Sequence, residues 1–142
     1  MYKVGIVGTG FIGRRRAEIA QAHPETAVAL VYDVRPQSAA ELAAACGAQV
    51  AASWEELVAA ELDIAVVATT HDALSEISTA ALSAGKHVLC EKPMGRNPEE
   101  GRMAVEAAGQ NGRVLKSVIT TAITRRYRRS TRSVWRVIAV RC

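Results

Sequence analysis

The chain has 142 residues, 49% hydrophobic and 23% charged, which suits one domain with a real core and excludes a disordered polymer. Its apolar runs, such as Ile64 to Ala68, fall far short of the roughly 20 residues a membrane-spanning helix needs, and its start enters a strand directly, so no membrane partner and a cytoplasmic location are expected. The net charge of +4 is unevenly spread: residues 1–116 carry 11 Lys and Arg against 14 Asp and Glu, a net of −3, whereas residues 117–142 carry 7 Arg and no acid. That break is the main boundary in the chain.

In chain order, an apolar run from Lys3 ends in Gly8-Thr9-Gly10-Phe11-Ile12-Gly13 and helix-forming residues follow, giving strand, tight turn and helix. Ile12 to Ala22 reads as the first helix, with Arg14, Arg15 and Arg16 on a solvated face, ended by Pro24. Ala27 to Tyr32 is a second strand that stops at Asp33. Pro36 opens an Ala-rich helix that runs to Cys46 and is capped by Gly47. Ala48 to Ala51 reads as a short strand, and Ser53 with Glu56 makes a capping box for a helix through Ala60.

Asp63 to Thr70 is a continuous β-branched apolar run, the mark of a central strand buried on both faces. A helix over Ala73 to Ala84 ends at Gly85, and Lys86 to Lys92 is the next strand, with Lys86 and His87 read as surface residues at its start. Asn97 caps a helix with Pro98 at its first position, running to about Gln110, and Arg113 to Lys116 begins a last strand. Strands separated by single helices predict an α/β doubly wound parallel sheet. The three cysteines, Cys46, Cys90 and Cys142, have no metal-ligand or redox spacing, so neither a metal site nor a disulfide framework is expected.

Ligand chemistry in such a sheet belongs at the carboxyl ends of the strands, where Gly8, Asp33, Thr69-Thr70 and Glu91-Lys92 all fall. Gly8 permits a sharp turn, Gly10 lets a pyrophosphate lie on bare backbone, and Gly13 lets the helix pack on the strand. The helix N-terminus adds unpaired N–H groups and a partial positive charge. Asp33, twenty residues past Gly13, is placed to accept from ribose hydroxyls. These features predict a dinucleotide site. Its candidate residues are Gly8, Thr9, Gly10, Phe11, Ile12 and Gly13 in the turn, Asp33, Val34 and Arg35 after the second strand, Ala68, Thr69, Thr70 and His71 after the fourth, and Glu91, Lys92 and Pro93 after the fifth. Asp33 favours NAD because its carboxylate repels a 2′-phosphate, while Arg35 offsets that charge and leaves NADP open.

On VGIVGTGFIG, Asp33, VVATTHDAL and above all GKHVLCEKPM, residues 1–116 resemble the N-terminal Rossmann-type domain of the Gfo/Idh/MocA family of NAD(P)-dependent oxidoreductases. The family's loop after the fourth strand usually reads T-P-N-x-x-H; here Thr70 stands for the proline, His71 for the asparagine and Leu74 for the histidine. The resemblance implies hydride transfer between the nicotinamide and a hydroxyl-bearing carbon of a sugar, sugar derivative or cyclitol. Lys92 is the catalytic candidate, stabilising alkoxide charge and tuning proton transfer, with Glu91 orienting it and Pro93 fixing the turn. It also implies a second, substrate-binding domain that this chain has no room for, with homo-oligomers expected only for a full-length form. A non-catalytic dinucleotide-binding module stays open as a second reading.

The tail from Ser117 to Cys142 admits two readings. Its arginines suit a basic arm for nucleic acid or an anionic membrane. Alternatively, the family commonly continues V-G-Y-N-H-R-Y-H-P-A after the sixth strand, and a coding string for that run, less one base, encodes Ser117-Val118-Ile119-Thr120-Thr121-Ala122-Ile123-Thr124-Arg125. The second reading makes the tail an out-of-frame product, expected to be poorly ordered, and argues against a nucleic-acid partner.

Overall fold

The computed structural model describes residues 1–117. Six parallel strands form one sheet: β1 (Tyr2–Val7), β2 (Thr26–Tyr32), β3 (Gln49–Val50), β4 (Ile64–Val67), β5 (His87–Cys90) and β6 (Leu115–Ser117). Their order is β3-β2-β1-β4-β5-β6, so the chain reverses direction across the sheet between β1 and β4. This is the doubly wound Rossmann arrangement, whose switch point is its binding crevice. The helices between the strands are α1 (Phe11–Ala22), α2 (Pro36–Cys46), α3 (Trp54–Ala59), α4 (His71–Ser83) and α5 (Pro98–Gln110).

Two cores, one on each face, follow from the two-residue period of the strands. In β4, Ile64 and Val66 join Val4, Ile6 and Leu89 against Ala17 and Ala20 of α1 and Leu42 of α2. Ala65 and Val67 join Val7, Val88 and Cys90 against Leu57 of α3, Leu74, Ile77 and Leu82 of α4, and Ala104 of α5. Every residue of β4 is buried, as expected for a strand covered on both faces.

Helix ends follow local chemistry. Pro36 opens α2, and Gly47 closes it in the left-handed conformation. Asn97 Oδ1 accepts from Glu100 N at 2.9 Å to cap α5, and Ser53 Oγ accepts from Glu56 N at 3.2 Å to cap α3. The return bond of that second box goes one residue further back than expected: Glu56 Oε2 accepts from Ala52 N at 2.6 Å.

Several expectations are corrected. Two strands are shorter than the apolar runs that suggested them: β4 stops at Val67 and β5 at Cys90. Helix α4 begins at His71, two residues before the expected start, so His71 is its first residue and not a loop residue. Arg16 is not on a solvated face but is 1% exposed. Lys86 is buried rather than a surface residue, and burial together with the Arg113 charge pushes its ammonium below the ordinary value, Asp63 partly countering. His87 is half-buried, and its Nδ1 accepts from Val114 N at 3.1 Å, tying the approach to β6 onto β5. The sheet also runs one residue past the expected boundary, with Ser117 paired to Cys90. The readings of the tail from residue 118 onward lie outside the described residues.

Candidate functional site

Strand register assembles the site. Val7 pairs with Tyr32 and with Val67, and Val67 pairs with Cys90, so Gly8, Asp33, Ala68 and Glu91 are each the next residue at one sheet edge. Backbone bonds extend the ladder by that one step: Gly8 N donates to Tyr32 O at 2.8 Å, Ala68 N to Val7 O at 2.8 Å, and Glu91 N to Val67 O at 3.0 Å.

Within the turn, two glycines are required by the fold. Gly8 has φ of +92°, and a Cβ there would stand 2.4 Å from Ala68 O; a Cβ on Gly13 would stand 1.8 Å from Gly8 O. Gly10 is different. It is the N-cap of α1, with φ −67° and ψ −171°, a conformation open to any residue. A Cβ there would meet nothing nearer than Arg35 Nη2 at 4.0 Å. Packing therefore leaves bare backbone at Gly10 without needing it, which fits a pyrophosphate lying against that backbone. No side chain caps α1 and its first turn carries no acid, so its leading N–H groups and dipole face the same space.

Asp33 is buried and holds the turn. Its Oδ2 accepts from Thr9 N at 2.7 Å and lies 3.0 Å from Thr9 Oγ1, while its Oδ1 accepts from Arg35 N at 2.9 Å and Arg35 Nε at 3.3 Å. Burial pushes this carboxyl up, but the bonds from Arg35 and Thr9 outweigh it and leave the pKa below the ordinary 3.8. Four donors fill the roughly four acceptor positions of a carboxylate, so a ribose hydroxyl bonds here only by replacing one. The Arg35 side chain, 68% exposed and on the longest bond, is the replaceable one.

Beside Asp33 lies a groove of about 560 Å³ between the turn and α2. Arg14 crosses it, donating from Nε to Thr9 O at 3.1 Å and from Nη2 to Glu41 Oε2 at 2.7 Å. Ser38 Oγ lies 2.8 Å from Thr9 Oγ1. Arg14, Ser38 and Glu41 were not among the sequence candidates. Val34, which was, is 82% exposed, and Phe11 at the head of α1 is 84% exposed.

On the other side of the switch point, Thr69 Oγ1 donates to Thr70 O at 3.3 Å and Thr70 is the N-cap of α4. His71, its first residue, is exposed. Leu74, where the resemblance sets a histidine, is fully buried in the core. Lys92 is exposed and joined to Pro93 by a cis peptide bond. Glu91 turns inward: Arg16 Nε and Nη2 each stand 2.8 Å from its Oε1. Glu91, expected to help orient Lys92, is thus itself held by Arg16. Helical spacing held the signal, since Arg16 lies in line with Gly13, Ala17 and Ala20 on the buried face of α1.

Comparison with known proteins agrees with this geometry. Residues 2–118 match the model of the GFO_IDH_MocA group, described as an oxidoreductase family with an NAD-binding Rossmann fold. An inositol 2-dehydrogenase of Cereibacter sphaeroides is 38% identical over 130 residues, covering 89% of this chain and 38% of the relative. The NADP(+)-dependent scyllo-inositol 2-dehydrogenase IolU of Bacillus subtilis is 31% identical over 143 residues, covering 99% of this chain and 44% of the relative. Among solved structures, Synechocystis biliverdin reductase in complex with biliverdin and NADP+ superposes with a TM-score of 0.79 at 31% identity, over 82% of this chain and 37% of that one. The chain thus spans less than half the length of these relatives. It belongs to the Gfo/Idh/MocA oxidoreductase family, as that family's NAD-binding Rossmann domain.

Proposed function

We propose that the sheet edge binds a nicotinamide dinucleotide, with the pyrophosphate at Gly10 and the α1 N-terminus, the adenosine ribose at Asp33, and the nicotinamide half toward Thr69, Thr70, His71 and Lys92. The observation that carries this reading is the open backbone at Gly10, beside two glycines that the fold itself demands. When bound, the cofactor supplies a hydride acceptor. The chain's own residues do the rest. The turn holds the phosphates by backbone N–H, Asp33 fixes the ribose, and the Lys92 ammonium stabilises charge developing on a substrate hydroxyl and helps tune its proton transfer. The substrate class is a sugar, sugar derivative or cyclitol, supported by the inositol dehydrogenases among the matched relatives. Residues 1–116 form the cofactor half of the site, and the substrate-reading half belongs to a further domain of a longer form.

Calorimetry with NADH tests the binding, and absorbance of the reduced nicotinamide with a panel of sugars and cyclitols tests turnover. Where turnover is measured, Lys92→Ala is expected to lower kcat by roughly 10²–10⁴-fold, the usual worth of positioned acid–base catalysis. Absence of NADH binding refutes the reading. Binding without turnover assigns the chain as a non-catalytic dinucleotide-binding module.

A further inference from the structure

Arg16 is the largest fully buried side chain of the described residues and carries a full charge. A desolvated guanidinium is costly, and apolar residues of similar volume often replace a buried ion pair without loss of stability, so stability alone does not account for it. What an arginine adds is geometry, because two donors of its planar fork can converge on one carboxylate oxygen and pin its position.

That carboxylate is Glu91, 75 positions along the chain and immediately before Lys92. Both Arg16 Nε and Nη2 reach Glu91 Oε1 at 2.8 Å, with the Glu91 side chain 13% exposed. Glu91 N still donates to Val67 O, one step past the end of β5, and the chain bends at Lys92. Glu91 is therefore held inward at the residue just before the bend, and Lys92 is exposed. With the Glu91 carboxylate engaged by Arg16, Lys92 makes no hydrogen bond or ion pair among the described residues. Arg16 itself lies three residues past Gly13, on the helix whose first turn faces the proposed pyrophosphate.

We propose that Arg16 is a positioning residue for Lys92, acting through Glu91, and that it ties the nicotinamide-side lysine to the glycine-turn helix. It keeps the Glu91 carboxylate from neutralising Lys92 and anchors the residue just before the bend that carries the ammonium. The inference rests on the dinucleotide reading of the same edge. It requires that contacts to the nicotinamide half depend on Arg16, while contacts to the adenosine diphosphate half, made by the glycine turn and Asp33, do not.

The test uses the whole 142-residue chain and two ligands, NADH and ADP-ribose, which lacks the nicotinamide. The readout is the ratio of the ADP-ribose Kd to the NADH Kd, together with the change in NADH emission on binding, in wild type, Arg16→Met, Arg16→Lys and Glu91→Gln. Arg16→Met is expected to lower the ratio at least five-fold and to reduce the emission change, with ADP-ribose affinity kept within two-fold. Arg16→Lys restores part of the ratio, and Glu91→Gln lowers it as Arg16→Met does. Equal weakening of both ligands overturns the inference, because Arg16 then serves only to hold α1 in place. An unchanged ratio in the variants, or a wild-type ratio near one, also overturns it. Should Arg16→Met fail to fold by circular dichroism, Glu91→Gln, which keeps side-chain volume and a hydrogen-bond acceptor, decides the matter on the same ratio. A wild-type chain that binds neither ligand overturns the dinucleotide reading itself.

Discussion

Paired substitutions at Gly13 and Gly10 separate what the turn does for the fold from what it does for a ligand. A Cβ at position 13 would sit 1.8 Å from Gly8 O and 2.9 Å from Gly8 C. Real Cβ atoms do not approach closer than 3.0 Å, so α1 and the turn must part by about 1.2 Å. The obstacle is backbone, which cannot rotate away as a side chain could, and the helix behind it packs Ala17 and Ala20 into the core. Gly13→Ala is therefore expected to cost about 2–3 kcal/mol or more, the upper part of the range for overpacking. Gly10→Ala adds the same methyl where the nearest atom is Arg35 Nη2 at 4.0 Å. Its stability cost should stay within about 1 kcal/mol, the difference between glycine and alanine at an N-cap. The same methyl would stand where the pyrophosphate is proposed to lie, so NADH affinity should fall at least ten-fold, about 1.4 kcal/mol. Urea unfolding measures the first effect and calorimetry the second. Gly10→Ala with wild-type NADH affinity would refute the assignment of Gly10, and a Gly13→Ala chain of unchanged stability would refute the packing argument.

Other outcomes follow from the same geometry. Asp33→Ala should weaken NAD more than NADP, and by leaving buried Thr9 N–H without its acceptor it should also cost about 1–3 kcal/mol in urea unfolding; Arg35→Ala should shift preference toward NAD, and equal effects on both cofactors in both variants would defeat this account. His87 is pushed below its ordinary 6.5 by burial and by Arg113, with Asp63 opposing, so the unfolded chain binds its proton first as pH falls. Its stability contribution is therefore complete above pH 6.5 and is lost as pH drops through the folded value, and His87→Gln should flatten the fall in stability between pH 7 and 5; an unchanged slope excludes His87 as its source. Restoring one base after the Lys116 codon should open a frame that continues into a second domain of the family, whereas a stop codon within a few triplets returns weight to the basic-arm reading of the tail.

The elements legible in the sequence were those whose causes are local. The strands β1, β2 and β4 appeared as apolar runs with β-branched residues, and each helix carried a start or stop signal, such as Pro36 and Gly47 for α2 or Asn97 and Pro98 for α5. Their parallel order in one sheet then followed from alternation, which brought Gly8, Asp33, Ala68 and Glu91 to one edge. Boundaries failed where apolar character outlasted hydrogen bonding. Ala68 to Thr70 continue the β-branched composition of β4, but Thr70 already serves as the N-cap of α4.

Charge at Arg16 and Lys86 misled for a different reason. Hydropathy assigns an arginine or lysine to water unless a partner or a packing environment far along the chain says otherwise, and Glu91 stands 75 positions from Arg16. The helical face at Gly13, Ala17 and Ala20 gave position 16 a buried direction, so composition and periodicity disagreed there. Such a disagreement is informative in itself. A residue that costs free energy to bury, kept on the inward face of the helix that follows the glycine turn, needs a compensating contact, and among the residues at the sheet edge the acid beside Lys92 supplies it. The glycine turn and the lysine are thus linked through one ion pair that no local motif encodes.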